Sequence, residues 1–180
     1  MEADCPFAVC AAMKAKLDDA HVQIVSCNAI SNLALDAQNN AEKIDLLLRA
    51  GVISSLSAAM AAHACDVNVQ LLGSSAMCNL AAFTENALTI CQAGGITAIV
   101  QAMKGHLHNK QIQQYGCDTL YFLAFWATDS HGAIAAQGGL DAVHAALAAH
   151  SSCEAIWKSG CAVLMLLEGA GRGSIAALCA

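Results

Sequence analysis

Val22-Gln23-Ile24-Val25-Ser26-Cys27-Asn28-Ala29-Ile30-Ser31-Asn32-Leu33-Ala34 returns as Val69-Gln70-Leu71-Leu72-Gly73-Ser74-Ser75-Ala76-Met77-Cys78-Asn79-Leu80-Ala81. The pattern comes back from Ile112 to Ala124, and more loosely from Ile156 to Glu168, at offsets of 47, 43 and 44 residues. A fixed period of this length is the mark of a stacked repeat. Within the first copy, apolar or small residues fall at Val22, Ser26, Ala29, Ile30 and Leu33, which is one face of a helix.

Two further elements keep step with this segment. Ala12-Met13, Ala59-Met60, Ala102-Met103 and Ala146-Leu147 lie about ten residues upstream. Gly51, Gly94-Gly95 and Gly138-Gly139 open the helix that carries those pairs, and each follows a short helical stretch such as Asn40 to Arg49. Glycine there can take the left-handed conformation that ends a helix. Each period therefore reads as a short helix, a glycine turn, a medium helix and a longer helix. The position held by Ser26, Gly73, Gly116 and Gly160 is always tiny, at a cost of up to about 1 kcal/mol in a helix interior. A close helix crossing explains that cost.

This period resembles the armadillo family, whose repeats place a glycine turn before the second helix and a Leu-x-Asn-Leu-Ala-like ending on the third. Ile30-Ser31-Asn32-Leu33-Ala34 and Met77-Cys78-Asn79-Leu80-Ala81 match that ending, whereas Phe122 and Leu166 replace the Asn later on. The Gly-Gly-Ile-x-Ala-Ile-Val-x-Ala-Met phrase is similar to the armadillo segment of leucine-rich-repeat kinases and related protist and algal repeat proteins. The resemblance implies an all-α, α-α superhelix (an armadillo-type solenoid) of about four three-helix repeats, in a single domain over 1–180. The repeats run roughly 6–38, 39–83, 84–127 and 128–168, with a partial fifth at 169–180. The expected core is Val22, Ile30, Leu33, Val69, Met77, Leu80, Ile112, Leu120, Leu123, Ile156, Leu164 and Leu167. The array looks cut at both ends, lacking a short helix before Pro6, so self-association through uncapped ends is a further expectation.

Composition agrees. Hydrophobic residues make up 57% of 180, much of it Ala, with only 4% aromatic, which favours helix over strand. The longest apolar run, Leu120 to Ala127, is far short of the roughly 18 residues that cross a bilayer, so no membrane span is expected. An acidic opening, Met1-Glu2-Ala3-Asp4, does not read as a secretory signal, and a cytoplasmic location is expected, with the nucleus as alternative. Net charge is −6 with eight scattered Lys and Arg, which speaks against nucleic acid as a partner. The ten cysteines sit within apolar helical runs and are expected to be reduced.

Chemistry-bearing motifs are sparse. No Cys-x-x-Cys knuckle or nearby His at zinc-finger spacing supports a metal, and Cys27, Cys117 and Cys161 follow the tiny residue as packing positions. His63, His106 and His150 recur in one column, with Lys16 in the first repeat. A basic side chain there meets the last carbonyls of its helix and the negative end of the dipole. Glu168-Gly169-Ala170-Gly171-Arg172-Gly173-Ser174 lacks the Gly-Lys-Ser/Thr ending of a phosphate loop. We expect no cofactor and no enzyme; an enzyme with a His/Cys site is the rival from another class.

In armadillo proteins the longest helices line a concave groove that holds extended peptides. The matching stripe here is Asn28, Asn32, Ser75, Asn79, Asp118, Phe122, Ala162 and Leu166, polar in its first half and apolar in its second. The resemblance implies that Asn32 and Asn79 hydrogen-bond a peptide backbone. Nuclear-import receptors place a Trp one turn before each such Asn; Asn28 and Ser75 stand there instead, which argues against recognition of basic localisation signals. Phe122 and Leu166 form an exposed patch near Tyr121 and Met165 or turn into the core, and the sequence leaves both open. The expected partner is another protein or peptide, with a regulatory segment of a larger kinase or GTPase protein as the alternative.

Overall fold

A computed structural model describes residues 5–37 and 40–167; the partial fifth repeat expected at 169–180 lies outside them, as does Glu168. Among the described residues there are eleven α-helices, one 3-10 turn and no strand. Four long helices, α2 (Ala20–Asp36), α5 (Val67–Ala81), α8 (Lys110–Trp126) and α11 (Glu154–Leu167), recur with four medium ones. The medium helices are α1 (Cys5–Ala15), α4 (Val52–Ala62), α7 (Gly95–Gly105) and α10 (Gly139–Ala149). Short helices α3 (Ala41–Ala50), α6 (Ala87–Gln92) and α9 (Ser130–Ala136) precede the last three of these.

Each long helix packs on the next, and so does each medium helix, giving two rows of helices with the core between them. The glycine turns are the joints. Gly51, Gly94 and Gly138 have φ of 76°, 81° and 78°, the left-handed region that glycine enters without a Cβ clash. This ends each short helix and starts the medium helix at once. No single helix among the described residues is long and apolar enough to cross a membrane. α3 and α4 pass that test only as a pair, bent by 48° at Gly51.

Where the sequence demanded a tiny residue, the structure has a methionine or leucine of the medium helix. A Cβ added at Gly73 would lie 2.7 Å from Met60 Cγ, at Gly116 2.4 Å from Met103 Cγ, and at Gly160 2.9 Å from Leu147 Cδ2. Medium and long helices thus cross at a distance that only glycine permits, and Met60, Met103 and Leu147 are fully buried there.

Nine of the twelve expected core residues are buried. Val22, Leu33 and Leu167 are half-buried instead, and all three belong to the first or last described long helix. Val69, Ile112 and Ile156, the counterparts of Val22, are fully buried because each has a long helix on both sides or is covered by the preceding one.

Polar columns lock the units. Asp19, Asp66 and Asn109 cap long helices by accepting from backbone amides of their first turn at 2.9–3.2 Å. Buried Gln23, Gln70 and Gln113 each donate through Nε2 to two carbonyls at the end of the medium helix: Met13 and Lys16, Met60 and His63, Met103 and His106. The glutamine amide thus reaches the Met13, Met60 and Met103 carbonyls in the last turn, while the Lys16, His63 and His106 carbonyls also accept from the backbone amides of Asp19, Asp66 and Asn109.

Candidate protein-binding face

The histidine column does something other than cap its own helix. His63 Nε2 lies 2.7 Å from the Leu17 carbonyl, His106 Nε2 2.9 Å from Ala64 and His150 Nε2 2.8 Å from Leu107. A carbonyl only accepts, so each ring donates an N–H to the turn of the preceding unit. The column is a row of rivets between neighbouring units. Among the described residues no group of three His, Cys, Asp or Glu is placed to hold a metal ion.

The expected groove residues all retain solvent access and lie on adjacent members of the long-helix row. Asn28 and Asn32 on α2 are exposed, with no side-chain hydrogen bond among the described residues. Ser75 and Asn79 on α5 are half-exposed and already engaged: Ser75 Oγ lies 3.1 Å from Ser31 Oγ, and Asn79 Nδ2 donates to Ser31 Oγ at 3.0 Å and its carbonyl at 3.3 Å. Asp118 on α8 accepts from the Ser159 hydroxyl of α11. Burial pushes the Asp118 carboxyl above the usual carboxylate range, against the pull of Ser159 and the Lys158 ammonium.

Phe122 and Leu166 are neither buried nor free. Both are half-exposed and pack their inner edges on the core. Phe122 sits 5.5 Å, centroid to centroid, from Tyr121, which stacks at 5.7 Å on Phe125; Phe125 in turn meets Trp126 edge-on at 4.7 Å. Phe125 and Trp126 are 50% and 41% exposed, and Met165 on α11 is 53% exposed. Aromatic side chains left this open offer large contact area at low entropic cost. On α8 the stripe as read from sequence stopped at Phe122, before going on to Ala162 and Leu166 on α11; its continuation one turn on to Phe125 was available from the i, i+3 spacing.

Nine cysteines lie among the described residues and none is bridged. Cys27 and Cys117 are buried, Cys161 is half-buried, and burial pushes the thiols of Cys27, Cys78 and Cys117 up to about 12. For Cys78 and Cys117 the neighbouring Asp118 carboxylate adds to the rise. Thiols this hard to ionise are packing groups rather than nucleophiles.

A groove lies at the other end of the row. Its volume is about 820 Å³, and it is bounded by Cys5 and Pro6 of α1, Leu33 and Asp36 of α2, and Leu46 and Leu47 of α3, with charged residues of α3 along its rim. Lys43 bridges it to Asp36, and Arg49 pairs with Asp45 one turn away.

Fold and faces together define an all-α protein built of helices in repeating sets. No family model and no curated protein matches the sequence. Among solved structures, the chain is similar to an engineered protein, a Northeast Structural Genomics Consortium target, with a TM-score of 0.75 at 19% identity. The match covers 97% of this chain and 66% of that one, so the chain spans just under two thirds of its neighbour's length. At that identity the likeness is one of fold.

Proposed function

We propose that this chain is a protein-interaction module of the armadillo type, which binds an extended peptide or partner surface along the exposed side of its long helices. The observation that carries this reading is the accessible ladder from Asn28 and Asn32 through Ser75, Asn79 and Asp118 to Phe122 and Leu166, continued by Phe125 and Trp126. Stacked units put equivalent positions side by side, so one long ligand can touch all four. The two ends of the ladder would serve different parts of the ligand. Exposed Asn28 and Asn32 offer amides to a peptide backbone, while the aromatic end accepts apolar side chains.

Binding rather than catalysis is favoured because the cysteines with raised thiols are packing groups and the recurrent histidines are spent on carbonyls of neighbouring units. The test is a selection of peptides from a random display library on the parent chain. Rebinding is then measured to Asn28→Ala/Asn32→Ala and to Phe125→Ala/Trp126→Ala. Each folded variant should lose at least about tenfold in affinity, since interface aromatics are frequent hot spots. Unchanged affinity in both would refute the reading.

A further inference from the structure

Asp118 is the one acidic member of the long-helix stripe. Its Oδ1 accepts from the Ser159 hydroxyl, while Oδ2 makes no hydrogen bond among the described residues and keeps contact with solvent. The exposed Lys158 on α11 draws on the carboxylate electrostatically, yet the two form no ion pair. Among the described residues the ion pairs are Lys43 with Asp36 and Arg49 with Asp45. A half-buried carboxylate in this state has lost part of its hydration without gaining a counter-charge.

The neighbours of Asp118 on α8 are rings. Tyr115 lies one turn before it, and Tyr121 and Phe122 one turn after, at spacings that share its helix face. All three are half-exposed. An anion flanked by aromatic faces suits a planar cation, because a guanidinium pairs with the carboxylate through its N–H fork and lays its plane on a ring. An ammonium is a compact, strongly hydrated point charge and gains less in both respects. One more turn along, the face becomes apolar. Phe125 and Trp126 are 50% and 41% exposed, and aromatic side chains bury about 150–250 Å² each, so the pair offers on the order of 200 Å². A stable contact between two folded proteins covers about 800 Å² on each side. The patch is therefore sized for one or two ligand side chains rather than for a second copy. Phe125 follows Asp118 by two turns, about 10 Å along the helix. Successive side chains of an extended strand point to opposite sides, so adjacent ligand residues reach both places.

We infer that the face recognises an extended peptide in which an arginine, seated on Asp118 between Tyr115 and Tyr121, stands next to a large apolar residue seated on Phe125 and Trp126. This rests on the peptide-binding reading above and adds the chemistry of the ligand. One acid on the stripe specifies one cation. Asn28, Asn32, Ser75 and Asn79 are neutral and Lys158 stands beside the seat, so a run of basic residues meets no further counter-charge.

The probe is a peptide selected on the parent chain from a random display library and resynthesised in three forms, with arginine, with lysine and with the neutral isostere citrulline. Affinities are read by fluorescence anisotropy on the parent and on Asp118→Asn, which removes the charge and keeps an acceptor for Ser159. Asp118→Ser is the second variant, and circular dichroism is the folding control. The selected sequences should carry the arginine–apolar pair. On the parent the citrulline form should bind about tenfold or more weaker than the arginine form, with lysine in between. On Asp118→Asn the arginine and citrulline forms should bind alike. Selected peptides without arginine, lysine binding as well as arginine, or a citrulline penalty as large on the folded variants as on the parent would each overturn the inference. Where such peptides still weaken on Asn28→Ala/Asn32→Ala or Phe125→Ala/Trp126→Ala, the peptide-binding reading stands without it. Peptides indifferent to both pairs, or a library that yields no binder, overturn the two together.

Discussion

Replacing Gly116 with alanine tests the close crossing on which the two-row packing depends. The new Cβ would fall 2.4 Å from Met103 Cγ and 2.5 Å from its Sδ, where ordinary contact is about 3.5–4.0 Å. The Cγ is one bond from Cβ, so relief requires Met103 to change χ1 inside a filled core. Overpacking of this kind costs about 1–3 kcal/mol. Alanine returns up to about 1 kcal/mol through its better helix propensity. The expected net loss is therefore about 0–2 kcal/mol. Gly105→Ala, with nothing within 4 Å of the added Cβ, keeps only the gain and serves as the control. Met103→Ala alone should cost about 2–5 kcal/mol, but in that background Gly116→Ala should become favourable, because the methyl enters the space vacated. Guanidinium unfolding followed by circular dichroism gives the four free energies, and calorimetry checks that unfolding is a single transition. Should Gly116→Ala stabilise as much as Gly105→Ala, with no coupling to Met103, the close-crossing argument is wrong.

Other columns give sharper single-site expectations. Gln113→Leu leaves the buried Met103 carbonyl without its donor, while the His106 carbonyl keeps the Asn109 amide, and should cost about 1–3 kcal/mol, measured by the same unfolding assay with exposed Gln101→Leu as reference. Asn79→Ala should cost about 0.5–1.5 kcal/mol because its amide bonds Ser31, whereas exposed Asn32→Ala should stay within about 0.5 kcal/mol. Thiols held up to about 12 at Cys27, Cys78 and Cys117 bind a proton in the folded state that the unfolded chain has released above about pH 9. Stability should then fall as pH rises from about 9 to 12, by up to about 1.4 kcal/mol per thiol per pH unit. Alkylation of the native protein at neutral pH should label exposed Cys5 and Cys65 well before those three. An unfolding series that is flat in that alkaline range, or uniform labelling, would contradict the burial assignment.

Local rules were the legible part of the fold. A left-handed turn needs glycine and a close crossing needs a tiny residue, so Gly51, Gly94, Gly138, Gly73 and Gly116 announced their roles one by one. The glutamine column was present in the quoted repeat but carried no signal of its own, because Gln is an unremarkable helix former until its burial is known. The histidine column was seen but given to the wrong carbonyls, since the acceptor belongs to the preceding unit, 42–46 residues away. The candidate face was legible as a stripe, yet not in its detail. Whether Asn79 is free depends on how near α2 comes to α5, and whether Phe122 is buried depends on the rotation of α8. The groove at α1, α2 and α3 was not legible, because its walls come from three separate elements.

The most direct test of the binding face is site-specific photo-crosslinking. A benzophenone amino acid is placed in turn at Asn32, Asn79, Phe122 and Leu166 on the long helices, and at exposed Ala58, Gln101 and Ala145 on the medium helices. The chain is then irradiated in the presence of peptides selected on the parent. Adducts should form from the long-helix positions, with one peptide reaching at least two of them, and not from the medium-helix positions. Adducts confined to Ala58, Gln101 and Ala145 would move the interaction to the opposite row and contradict the account.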